Sequence, residues 1–166
     1  MLGSLFRGLL LMKLKFMCSA HREHLFNEPS RAVAFFTCGF DTAQVFCDAK
    51  SWMEALPHAG CAFETSDIIL TMKSAEKKKA IEYMTSSTVI LAFILLKLGK
   101  VEDARDVYWS TITRLELELS EHSAEYSDLH QSLRFLYNSI ESLISNYHIP
   151  QYTLGGEAKV AYGSIH

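Results

Sequence analysis

Little in this sequence breaks a helix. Only three prolines, at positions 29, 57 and 150, and eight glycines are spread over 166 residues, and long stretches lie unbroken between them. A protein of many short strands needs turn residues at close intervals, so that architecture is disfavoured. An excess of one charge is also missing. The formal net charge is −3, which argues against a general affinity for nucleic acid or anionic membrane. Of the four cysteines, at 18, 38, 47 and 61, three fall inside apolar helical patterns, and a disulfide framework belongs to a smaller, loop-rich secreted chain. They predict reduced thiols and a cytoplasmic compartment.

The motifs of catalysis are lacking too. There is no phosphate-binding P-loop, no dinucleotide glycine fingerprint, no nucleophile elbow and no H-E-x-x-H. The expectation is a protein that is not an enzyme and takes no cofactor. No basic recognition helix points to DNA. The apolar start, Leu9 to Met12, is cut short by Lys13 and Lys15, with no small-residue cleavage site after it and too little length to span a bilayer. Residues 1–17 fit an amphipathic helix against the core, a second subunit or a membrane surface, and Met12 and Met17 offer alternative starts.

What is present is apolar periodicity. Hydrophobic residues make up 49% of the chain, enough for a core of its own, and the length suits a single domain. Val33, Phe36, Phe40, Ala43 and Cys47 predict one helix over 31–47, with Ser30 as its N-cap. Ser51 and Glu54 have capping-box spacing and open a second helix running to about Met72, with Pro57 inside it. A third begins at Ser74, exposes Lys77, Lys78 and Lys79, and carries eight consecutive apolar residues from Val89 to Leu96. That run predicts a central helix buried on nearly all sides, with an irregularity over the β-rich Thr85–Val89. Gly99 ends it in a tight turn. Val101, Ala104, Tyr108, Ile112, Leu115 and Leu119 mark the next helix. Tyr126, Leu129, Leu133, Leu136, Ile140, Leu143 and Tyr147 mark the last, as a regular seam facing either the same chain or a second copy.

The predicted organisation is an N-terminal amphipathic segment over 1–28, a helical domain over 29–149 and an extended tail over 150–166. The fold class is all-α, with five or six helices in stacked antiparallel hairpins or a bundle. Within residues 86–119, Ala92, Leu98-Gly99, Ala104 and Tyr108 resemble a tetratricopeptide repeat: a small residue, a turn glycine, a packing alanine and a closing aromatic. A fainter echo sets Lys50-Ser51 and Ala55 against Gly99-Lys100 and Ala104, at a spacing of 49 residues rather than that family's 34. The resemblance implies helix–turn–helix packing and a groove that binds a peptide.

Several clusters invite chemistry. Cys18, His21 and His24 have ligand types suited to zinc, but one irregular triplet is more simply a polar linker. His58 and Cys61 share a helical face without an orienting third group. Glu118, Glu121, His122, Glu125, Asp128 and His130 form an acid- and histidine-rich stretch, read as solvated helix ends. Tyr108, Trp109, Phe135 and Tyr137 are candidate pocket aromatics, more ordinarily core.

Residues 100–148 carry nine acids against four bases. Tyr108, Glu118, Glu121, Glu125 and Asp128 are therefore the expected partner-binding surface of a protein-interaction module for a peptide or partner helix. The same pattern admits a homodimer. The alternative is a small-molecule or signal-sensing helical domain, with an apolar pocket among Phe36, Phe40, Phe63, Phe93 and Tyr108.

Overall fold

In the computed structural model, which describes residues 14–121 and 127–148, the chain is a stack of antiparallel helices. A short helix α1 (Ser19–Asn27) leads through a single 3-10 turn (Pro29–Arg31) into α2 (Ala32–Asp48). Then follow α3 (Trp52–Met72), α4 (Lys77–Lys97), α5 (Val101–Glu121) and α6 (Ser127–Tyr147). No strand occurs among the described residues. Each long helix packs on the next, and α4 also touches α2 on one side and α6 on the other. The expected seam of α6 is internal: Leu129, Leu133, Leu136, Ile140 and Leu143 are buried against α4 and α5. Truncating one such leucine to alanine costs about 2–5 kcal/mol.

Three successive helix ends close in the same way. Lys50, Lys73 and Gly99 have φ of 58°, 53° and 73°, in the left-handed region. In each case the following amide reaches back to a carbonyl in the last turn: Ser51 N–H to Phe46 O, Ser74 N–H to Ile69 O and Lys100 N–H to Leu95 O, at 2.8, 3.1 and 2.8 Å. This is the Schellman arrangement. It explains why the expected capping box at Ser51 does not form. The Ser51 amide that Glu54 should satisfy is already held by Phe46, and Ser51 caps α3 without a side-chain hydrogen bond.

Ser30 is likewise not the N-cap of α2, because Pro29 begins a tighter turn in which Arg31 N–H bonds to Glu28 O. Helix α4 starts at Lys77 rather than Ser74, whose amide is used to finish α3. No irregularity breaks α4 at Thr85–Val89. The hydroxyls of Thr85, Ser86, Ser87 and Thr88 all bond to carbonyls three or four residues back, so the polar run is satisfied inside the helix.

The most completely buried helix is α3, not α4. From Ala59 to Leu70 every residue except the half-buried Cys61 is buried, Glu64 and Asp67 included. In α4 the eight-residue apolar run leaves Phe93 43% exposed, where it meets Trp52 edge-on and carries Lys97 over its ring. Helix α4 is the one described helix long and apolar enough to cross a membrane by length and composition, and half of its most apolar window is buried within the stack.

The described part of the N-terminal segment lies on the body as a strap. Leu14 to Cys18 run without helix across α3, and the ring of Phe16 fills a notch at Gly60 where even a methyl group would overlap it. Residues 1–13, and with them the signal-like stretch, lie outside the described residues, as do 122–126 and the tail.

Candidate functional site

Two features stand out once the helices are assembled. The first is a groove between α2 and α4. Phe36 and Phe40, one turn apart on α2, stack with centroids 5.5 Å apart. Tyr83 of α4 leans on Phe36 at 4.5 Å. These rings floor an open depression of about 310 Å³, whose rim is polar: Thr37, Asp41, Lys79, Glu82 and Ser86. Lys79 pairs with Glu82 at 2.8 Å and sits 5.7 Å over the Tyr83 ring. Two acids against one base leave the rim with an excess negative charge. The volume is at the small end for an organic ligand, and the depression opens to solvent, which suits one or two anchoring side chains.

The second feature is a buried ion network centred on α3. Arg114 of α5 donates from Nε to Asp67 Oδ1 at 2.9 Å, from Nη1 to Glu118 Oε1 at 2.7 Å and from Nη2 to Thr71 Oγ1 at 3.4 Å. Lys77 Nζ lies 2.8 Å from the other Glu118 oxygen. One turn before Asp67, Glu64 pairs with Arg22 of α1 and accepts the backbone N–H groups of Phe16 and Met17. Three acids face three bases, so the network carries no net charge.

Burial pushes the Asp67 carboxyl up, against the pull of Arg114. Burial would also lower Arg114, but Asp67 and Glu118 outweigh it and hold the guanidinium charged. Glu118 shows the reverse balance. Burial opposes its charge, yet hydrogen bonds from Lys77 and Arg114 bring it below the usual carboxylate range. Asp67 is the more deeply buried of the two, and Glu118 has Lys77 as a second hydrogen-bonding cation, which together account for the contrast. A network so fully paired is a structural device, and a reacting group in it would have to break a partner first.

Two of the residues expected to form a partner surface lie inside the body. Tyr108 is 8% exposed and packed in the interior. Glu118 is 7% exposed and belongs to the ion network instead of a solvated helix end. Asp128 does lie at the surface, 3.4 Å from Lys78. Glu121 ends α5, its side chain outside the described residues together with Glu125 and His122. Of Lys77, Lys78 and Lys79, only the last two are exposed.

The proposed apolar pocket is realised only in part. Phe36 and Phe40 line the groove, whereas Phe63 is fully buried, Phe93 faces outward and Tyr108 sits between other helices. Trp109 and Tyr137 meet edge-on at 6.2 Å, and Phe135 is half exposed.

Cys18, His21 and His24 do not converge. Cys18 Sγ lies 3.1 Å from His21 Nδ1, but His24 turns to Glu28 and Arg31. No group of three metal-ligating side chains occurs among the described residues. His58 stacks on Phe46, away from Cys61, whose thiol points to the Phe16 carbonyl.

Sequence reasoning missed Glu64 and Asp67. Their signal was present as two acids three residues apart inside the apolar stretch from Cys61 to Leu70. No protein-family model, no curated protein and no solved structure matches this chain.

Proposed function

We propose that the chain is a protein-interaction module, an array of helical hairpins that holds a peptide or partner helix in the groove between α2 and α4. The observation that carries this reading is the open aromatic floor of Phe36, Phe40 and Tyr83 under a polar rim. Such a surface suits an apolar anchor residue flanked by groups that bond to the rim, the mode in which helical grooves take amphipathic ligands. The net negative rim favours a ligand with a basic residue next to its anchor.

The tetratricopeptide resemblance supports the same reading. Helices α3 and α5 begin 49 residues apart and have the same length, and each follows a left-handed turn, at Lys50 and at Gly99. Ala55 and Ala104 occupy the same place after those turns, and both are buried. In this reading the hairpins α3–α4 and α5–α6 stack as an array, with the groove where α4 meets α2.

The test is selection of peptides from a displayed library on the full chain, followed by binding to Phe40→Ala and Tyr83→Ala. Selected peptides that carry an apolar anchor and lose at least about tenfold in affinity to both variants support the proposal, since an anchor contact is worth about 2 kcal/mol. Peptides that bind both variants as tightly as the parent protein place the interaction elsewhere and overturn it.

A further inference from the structure

Helix α2 is covered less than its composition asks. Eleven of its 17 residues are apolar, yet only Ala32, Phe36 and Ala43 are buried, whereas twelve of the 21 residues of α3 are. The uncovered residues are not scattered. Ala34, Cys38, Asp41, Val45 and Asp48 are all exposed and step by 4, 3, 4 and 3, the spacing of a helix–helix seam. Val45 is 66% exposed. Both charges within α2 are acids, Asp41 and Asp48.

We propose that residues 2–13 of the same chain dock as a helix along this outward seam of α2. Leu2, Leu5, Leu9 and Met12 step by 3, 4 and 3, so a helix there has one apolar face with matching spacing. At 1.5 Å per residue such a helix is about 18 Å long, against about 21 Å from Ala34 to Asp48. The charges are complementary as well. Residues 1–15 hold Arg7, Lys13 and Lys15 and no acid.

The chain also arrives in the right place. The strap begins at Leu14, half-buried on the core two residues before Phe16 in the Gly60 notch. At that level of α3 the neighbouring helix is α2, whose Gly39 lies against the His58 carbonyl and Ala62. His21 of α1 meets Phe35 of α2 at 6.3 Å between centroids, so the strap and α1 run beside α2. A second copy is the poorer occupant. Packing α2 on another α2 would bring Asp41 and Asp48 into a desolvated seam that offers no base. The inference does not rest on the peptide reading of the groove, with which the seam shares Asp41.

The seam carries its own probe in Cys38. The experiment measures iodoacetamide alkylation of each cysteine by mass spectrometry, for the full chain and for a variant lacking residues 2–12, at two protein concentrations. Cys47, half-buried on the same helix, reports whether α2 stays packed. Cys38 in the full chain should react at least about tenfold slower than in the shortened one, since a docked segment exposes the thiol only in a minor open state of about 10% or less. The protection should not change on dilution. Leu5→Glu with Leu9→Glu, and Arg7→Glu with Lys13→Glu, keep the chain length and should each abolish the protection while Cys47 stays slow. If shortening the chain also unmasks Cys47, these two pairs decide. Equal Cys38 rates in the full and shortened chains overturn the proposal, as does full protection in either pair. Protection that fades on dilution gives the seam to a second copy and overturns it too.

Discussion

Arg114 and Asp67, 47 residues apart in sequence, meet in the interior at 2.9 Å and join α5 to α3. Each side chain is at least 96% removed from solvent, with relative exposures of 3% and 4%. Removing one partner strands a buried charge. Arg114→Met should therefore lower unfolding free energy by about 3–5 kcal/mol. Adding Asp67→Leu should recover part of that loss, because the double variant leaves no orphan charge between the two positions. Urea denaturation of the three proteins measures both terms. A double variant as unstable as the single one would show that the pair contributes by packing alone.

Glu118 makes stability depend on pH. Its folded carboxyl is held below the ordinary value of 4.5 by Lys77 and Arg114, despite burial. A group depressed by folding adds stability above its unfolded value and loses it as pH falls through the folded one. Asp67 runs the opposite way, because burial raises it: its contribution is present below its ordinary value of 3.8 and fades as pH rises through the folded one. The Glu118 part is isolated by subtracting Glu118→Gln from the parent protein. That difference should be largest near neutral pH and shrink below about pH 4.5. A difference that stays constant from pH 7 to pH 3 would contradict the ion-network assignment.

Lys50 and Gly99 sit in the same turn with different side chains, which makes a matched pair of backbone tests. A Cβ at Gly99 would touch nothing within 4 Å, so Gly99→Ala probes conformation only. It should cost about 1 kcal/mol for a left-handed alanine. Lys50→Gly should gain a comparable amount by relieving φ of 58°. Thermal unfolding should show shifts of opposite sign, about 2–6 °C each.

The strap should be detachable without unfolding the stack. Gly60→Ala places a methyl group in the Phe16 ring, and the ring must leave. Limited trypsin digestion should then cut after Lys15 and Arg22 much faster than in the parent, while far-ultraviolet circular dichroism stays almost unchanged. Phe16→Ala in the same chain should restore part of the resistance, since the Glu64 bonds to the strap can form again. Equal digestion of all three would mean the strap is not held by this notch.

Much of the fold was legible in local pattern. The three-and-four spacing of Leu129, Leu133, Leu136, Ile140 and Leu143 specified a helix and its buried face, and Gly99 marked a turn that is left-handed. Those signals are local: a helix repeats every 3.6 residues, and a positive φ selects glycine, so both can be read within a few positions. Lys50 and Lys73 escaped notice because lysine in that conformation is tolerated only where the flanking helices already impose the turn.

What the chain alone determined was the helical class, the hairpin order and the apolar stripe of the last helix. Tertiary structure decided which helix is most completely buried, and it is α3 rather than α4 with its eight-residue apolar run. The reason is that Glu64 and Asp67 become interior residues only when Arg22, Arg114 and the strap amides arrive from 42 to 48 residues away. No periodicity within α3 carries that information. The same holds for the groove, where Phe36 and Tyr83 belong to separate helical faces until α2 and α4 lie side by side.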